Sequence, residues 1–456
     1  MTAAPIPFRA GRDWRRMLLA SAPAGLLGAA LGMGKVVRDC SLTCNVGYEL
    51  APLGILAVAA LTVPFSAWRL RLEARWGYRR WHLACALVAA GSLGIFRLLT
   101  YVFLEGRRAA ERIGAPAASW TAALQWTYLG YFVWLGALTV LLGANAVEHV
   151  YLLYGKERRR PPLHAVALAA ALGALVGAWT SGRLAGVMLA QGWRYEIVRD
   201  NLLLLMAALL LAELPIVRRI ERLLSRPAVP EDVDAPSTGL PAGVRLRTAL
   251  GWLRAEGRWR RLASLALVAG VADTLGKYLF YWLVSEQYQP ANGRTMYFAE
   301  FHAWLGAATL GMLAFGTPRV ISRAGPVAAL VALPIALSAG AGALLAHTVL
   351  IVMYAVRVAE GALRDSLYAP ALERLGAGGE EGRSRVVRPL LFGLLPRVGE
   401  GAGALGVLVL HFGLSVSLRA MLVVYLAVVL AWVVCVVRLR ADAPREEGAR
   451  SGDAAA

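Results

Sequence analysis

The sequence predicts an all-α integral membrane protein with about twelve transmembrane helices in two six-helix pseudo-repeats, a major facilitator-like layout. Three observations predict it. Of 456 residues, 58% are hydrophobic and only 17% are charged, well to the apolar side of a soluble domain. Apolar stretches long enough to cross a bilayer recur along the whole chain. A single proline-rich, acidic linker near the middle divides them six and six. This composition excludes secreted disulfide scaffolds, collagen-like chains and disordered chains.

The first six spans are expected near 17–45, 48–70, 81–104, 119–153, 162–190 and 197–217. The N-terminus has the charge order of a signal peptide. Its apolar stretch, however, runs on from Met17 through KVVRD with no cleavage site, so the first span is read as retained. Residues 227–242 (PAVPEDVDAPSTGLPA) form the linker, and VRLRTALGWLRAEGRWRR after it reads as a basic amphipathic helix on the membrane surface. The second six spans are expected near 259–287, 294–317, 325–345, 346–372, 386–411 and 414–437. The domain division is therefore 1–217, 218–258 and 259–456.

The formal net charge is +19. Its basic residues cluster between apolar runs, as in membrane loops, so nucleic acid is not the expected partner; the bilayer is. Arginine and lysine are dense at 1–16, 69–80, 156–160, 218–261, 318–323 and 374–388, and at the C-terminus. The intervening loops are poor in them, except for 105–118. By the positive-inside rule both termini face the cytoplasm, in a multi-pass protein of the cytoplasmic membrane. A monomer is expected.

Motif searches return little chemistry. GAGALG (401–406) fits a dinucleotide pattern but lies inside an apolar helix, where small residues pack helices together. GMGK (32–35) lacks the flanking residues of a phosphate loop. Four cysteines and six histidines show no metal-ligand spacing. Neither a cofactor, a resident metal nor an enzymatic activity is expected.

The signal lies in intramembrane charge, which costs about 3 kcal/mol per group unless it faces protein or water. Only Lys35, Lys156 and Lys277 are lysines among the 48 basic residues, and two of them sit in the first helix of each half. Each has an aspartate four residues away on the same helical face, Asp39 and Asp273. Arg38, Glu360 and Asp365 join Asp39 and Asp273 as expected gating or salt-bridging groups. Further buried-looking charges are Arg97, Arg183, Arg357, Arg364 and Glu400. Glu148 with Glu360, offset by 212 residues, and Arg183 with Arg397, offset by 214, suggest the register of the repeat. Cations outnumber anions at the central positions, and a cavity lined by Lys and Arg favours a small anionic solute, phosphate-bearing above all.

At the level of motifs the chain resembles the non-mitochondrial ATP/ADP translocases, a nucleotide-transporter family with a major facilitator-like architecture. The likeness lies in KVVRDCSLTCNVGYELAPLGILAVAALTVPFSAWRLRLEARWG (35–77), in ANAVEHVYLLYGKERRRPPLHAVALAAALGALVGAWTSGRLAG (144–186) and in DTLGKYLFYWLVSEQYQPANGRTMYFAEF (273–301). It returns in RVAEGALRDSLYAPALERL and PRVGEGAGALGV within 357–407. The resemblance implies that Lys35, Glu148, Glu300 and Arg397 serve translocation; Lys277, from its place in the first helix of the second half, is expected as a second substrate contact or as a structural latch with Asp273. The chain departs from the family in carrying arginine at 397 and in a shortened LRDSLYAP segment.

The function expected is secondary active transport of an anionic solute, most specifically ATP/ADP exchange by alternating access. The alternatives are a proton-coupled porter of another organic anion and a non-transporting membrane scaffold with the same fold.

Overall fold

The computed structural model describes residues 10–154, 163–224, 251–253, 255–288, 293–377, 387 and 390–453. The linker 227–242 and residues 244–250 and 254 of the amphipathic segment after it lie outside the described residues.

Among the described residues the chain makes twelve helical crossings. Helix α1 (Ala10–Ser41) ends in a π-helical turn, Leu42–Val46, and bends by 114° at Gly47 into the next crossing. Helix continues unbroken over Ala51–Arg112, yet a straight helix of that length would be about 90 Å long, three bilayers thick. The rings of Trp68 and Trp81 settle this, lying 5.9 Å apart where thirteen residues of straight helix would separate them by about 20 Å. The chain therefore folds back through its arginine-rich stretch, giving α2 (51–68) and α3 (Arg80–Arg112). Helices α4 (Ala118–Tyr154), α5 (Leu163–Ala190) and α6 (Tyr195–Leu224) complete the first half.

The second half opens with α7 (Gly257–Gln287). A second long stretch, Arg294–Ala346, also holds two crossings, α8 (294–324) and α9 (326–346). They turn at Gly325, whose φ of 78° is open to glycine and strained for other residues. Helix α10 (Leu350–Leu363) passes through a π-helical turn, Arg364–Tyr368, into Ala369–Ala377. Helix α11 (Leu395–Val407) is flanked by π-helical turns, and α12 (Leu418–Asp453) ends the chain. Seven stretches are apolar enough by composition to count as spans. Among the crossings outside that set are α1, α10 and α11, which share the intramembrane charge with α6 and α7.

Both halves are knit in the same way. A Cβ on Gly28 of α1 would lie 2.2 Å from the carbonyl oxygen of Ala170 in α5, and one on Gly270 of α7 would lie 2.3 Å from that of Pro396 in α11. Gly173 meets the carbonyl of Gly25 as Gly399 meets that of Leu267. Backbone approach this close needs glycine. The correspondence fixes the register at 242 residues between α1 and α7, and 226 between α5 and α11. Lys35 and Lys277 are equivalent in it, and so are Asp39 and Tyr281. The Arg183–Arg397 match fails by twelve residues: Arg397 corresponds to Ala171, because the small residues at the helix contact, rather than the arginines, hold the repeat.

The halves meet along α5 with α8 and α2 with α11, on small residues: Gly182 against Ala299, and Gly401 against Ala59. GAGALG is thus a packing surface.

Candidate functional site

The ionic centre lies where α7 faces α10. Asp273, 3% exposed, stands midway along α7. Its Oδ2 accepts from Lys277 Nζ at 2.6 Å and lies 2.7 Å from Arg364 Nη1, while its Oδ1 lies 3.4 Å from Arg357 Nη2. Glu360, 1% exposed, accepts from Arg364 Nη2 at 2.6 Å and pairs closely with Arg357. Residues 357, 360 and 364 share one face of α10 by their i, i+3, i+7 spacing. Three cations therefore share two carboxylates, a formal surplus of one positive charge.

A second knot joins the halves. Asp39, 3% exposed on α1, is held through Oδ1 by Arg38 Nε at 2.6 Å and by the Tyr281 hydroxyl at 2.9 Å. Its Oδ2 lies 2.9 Å from His302 Nε2 of α8. Arg38 also stacks over Phe132, 5.3 Å from the ring centroid. Asp39 and Tyr281, equivalent in the two halves and bonded to each other, mark the pseudo-two-fold axis.

Between these knots stands Lys35. It is half-buried and has no carboxylate within 4 Å among the described residues; Asp365, Arg38 and Asp39 act on it at longer range. The expected Lys35–Asp39 clasp is not formed here; Asp39 is held instead by Arg38, Tyr281 and His302. The expected Asp273–Lys277 pair is formed, although in the repeat register Asp39 corresponds to Tyr281 and not to Asp273.

The other expected site residues are placed variously. Arg397 pairs with Glu400, Nη1 to Oε2 at 2.6 Å, on α11 beside the N-terminal half of α7. Asp365 is exposed, with no ion pair within 4 Å among the described residues. Glu300 is exposed on α8, two residues from His302 and so turned about 200° away from it. Glu148 lies in α4 with its side chain outside the described residues.

On the arginine-poor side the halves are sealed. Arg294, 5% exposed at the start of α8, donates Nη1 to the Thr43 carbonyl at 2.6 Å, and Nη2 to the carbonyls of Ser285 and Tyr288 at 3.2 Å. Helix ends leave such carbonyls unsatisfied, so one guanidinium caps α1 and α7 together. Beside it Cys40 Sγ lies 3.3 Å from Thr295 Oγ1. Tyr48 stacks on Trp282 with centroids 5.6 Å apart, and both meet His411. A fully buried Arg199–Asp200 pair, 2.8 Å apart and stacked on Tyr128, braces α6 against α4. Sequence reasoning missed Tyr281, His302, Arg294, Arg199 and Asp200. The first two carry no signal as residue types; Arg199 and Asp200, near the end of an apolar run, do.

No protein-family model matches the chain, and no curated protein matches it. Solved structures do. The nucleoside transporter NupG is similar with a TM-score of 0.55 at 10% identity, over 93% of this chain and 98% of its own. A bacterial homologue of the iron transporter ferroportin, in an outward-facing state, is similar with a TM-score of 0.50 at 14% identity, over 92% and 99%. At these identities the likeness is one of fold, reaching nearly end to end. This chain is an integral membrane protein with the twelve-helix major facilitator fold.

Proposed function

We propose that the protein is a secondary transporter of a small anionic, phosphate-bearing solute, working by alternating access in the cytoplasmic membrane with its arginine-rich side and both termini inside. One observation carries the reading: Lys35, an intramembrane ammonium with no ion-pair partner among the described residues, stands near the axis beside a cluster that already has one cation in excess. Unpaired charge in a low dielectric is costly, and an anionic solute relieves it. Lys277, Arg357 and Arg364 add hydrogen-bond donors, and the guanidinium fork matches phosphate oxygens. The fold places such sites between the halves at mid-depth.

The specific form we infer is nucleotide exchange, ATP against ADP, which rests on the sequence resemblance described above. Lys35, Lys277 and Arg397 are proposed as solute contacts. Glu148 and Glu300 keep that role only by resemblance, and the pairs of Asp39, Asp273, Arg38, Glu360 and Asp365 are proposed as gating elements. The surplus positive charge disfavours a cationic cargo.

The test is flux by purified protein in liposomes preloaded with ADP, with labelled ATP outside. Uptake should need the internal nucleotide and resist protonophores. Uptake that collapses with a protonophore would favour a proton-coupled porter, and no flux for any phosphate-bearing solute would sink the reading.

A further inference from the structure

We propose that Asp39 sets the charge Lys35 offers to solute, and that Tyr281 and His302 decide which charge that is. The proposal rests on the reading of Lys35 as a solute contact. Lys35 and Asp39 are one helical turn apart on the same face of α1, a spacing at which an ammonium and a carboxylate ordinarily meet. They do not meet here. Asp39 spends its two oxygens on Arg38 of its own helix, Tyr281 of α7 and His302 of α8.

The origin of these donors matters. Arg38 and Lys35 belong to the same half as Asp39, whereas Tyr281 and His302 belong to the other half. With the arginine-poor side sealed, as here, the second half supplies two donors to Asp39 and leaves Lys35 unpaired. Opening that side draws Tyr281 and His302 away together. Asp39 then keeps Arg38 alone, in a site where a carboxylate short of donors loses more than the worth of a bond. The Lys35 ammonium, one helical turn back on the same face, can then supply a donor.

The swap couples the gate to the affinity of the site. Sealed, the site presents a free ammonium and holds an anion. Opened, Asp39 neutralises that ammonium and the anion is released. Only one of the two lysines can behave in this way. Lys277 is already bonded at 2.6 Å to Asp273 of its own helix, so moving the halves does not alter its partner. The position equivalent to Asp39 in the second half is Tyr281, a neutral hydroxyl. The two halves thus divide the work, with one lysine fixed and one switched.

Pyrophosphate is the probe, with binding to purified protein in detergent measured by titration calorimetry. The Tyr281→Phe/His302→Leu variant should bind about tenfold more weakly than the parent, since two hydrogen bonds holding Asp39 are gone. Adding Asp39→Asn should restore parental affinity, because no carboxylate remains to neutralise Lys35. A purely structural role for Tyr281 and His302 predicts instead that the triple variant falls as far below Asp39→Asn alone as the double variant falls below the parent. If the double variant does not fold, Tyr281→Phe alone, which keeps the ring, carries the comparison with about a threefold loss. Parental affinity in the Tyr281 and His302 variants, or a triple variant as weak as the double, overturns the proposal while Lys35→Ala still abolishes binding. Parental binding by Lys35→Ala, or no pyrophosphate binding by the parent, sinks the solute-contact reading and the proposal with it.

Discussion

Arg364 reaches Asp273 across the α7–α10 contact, Nη1 to Oδ2 at 2.7 Å, while its other terminal nitrogen holds Glu360 at 2.6 Å. One guanidinium therefore serves two buried carboxylates from different helices. Arg364→Ala should lower stability by about 3 kcal/mol, because each carboxylate is left short of a partner. Adding Glu360→Gln should recover part of that loss, since one uncompensated charge then disappears. Melting of the purified variants in detergent checks both, and a double variant less stable than Arg364→Ala would contradict the charge argument.

Arg294 should govern access from the arginine-poor side. Arg294→Ala removes the donor shared by the ends of α1 and α7, so the seal opens more often. Maleimide labelling of Cys40 and Cys44 should speed up by about tenfold, the effect of losing one to two charge-assisted bonds. Mass spectrometry of labelled peptides reads this directly. Arg294→Lys should restore little, because an ammonium lacks the planar fork that spans three carbonyls.

The glycine seams give a paired stability prediction. Gly173→Ala would place a methyl 1.9 Å from the Gly25 carbonyl oxygen, and Gly399→Ala one 2.2 Å from that of Leu267. Each should cost about 2 kcal/mol or more as α1 and α5, or α7 and α11, are forced apart. Gly91→Ala, which meets nothing within 4 Å, should be neutral or stabilising by about 0.5 kcal/mol through helix propensity. Thermal melting of the three variants side by side is the measurement.

Topology is open to labelling in cells. Cysteines introduced at Gly47, Gly293 and Ser415 should react with a membrane-impermeant reagent from outside, and those at Gly77, Ser237 and Gly376 only after permeabilisation. Reaction of the Ser237 cysteine in intact cells would overturn both the orientation and the six-plus-six division.

The crossings and the lysines were legible in the sequence because apolar length and intramembrane charge are signals a single chain carries by itself. Lys35, Asp39, Asp273 and Glu360 stand out against their helices for that reason. Tyr281 and His302 do not, since a tyrosine in α7 or a histidine in α8 is unremarked until α1 crosses beside it. Arg294 reads as a loop residue, and only the approach of two helix ends makes it a shared cap. Glu300 has the right residue type at the right depth, but two residues of helix turn it away from His302. The repeat register went astray on Arg183 and Arg397 because charged side chains can change position between halves. Gly28 and Gly270, fixed by backbone contact, cannot.

The scarcity of lysine gives this protein a built-in spectroscopic handle. Three side-chain amines are present among 456 residues, and two stand beside the axis. Reductive methylation adds NMR-visible methyl groups to each while keeping the positive charge. The resulting spectrum has two resonances from Lys35 and Lys277, with references from Lys156 of KERRR and from the terminal α-amine. Opening and closing of the molecule can then be timed from line shapes, with no introduced cysteine and no substitution at the centre being watched.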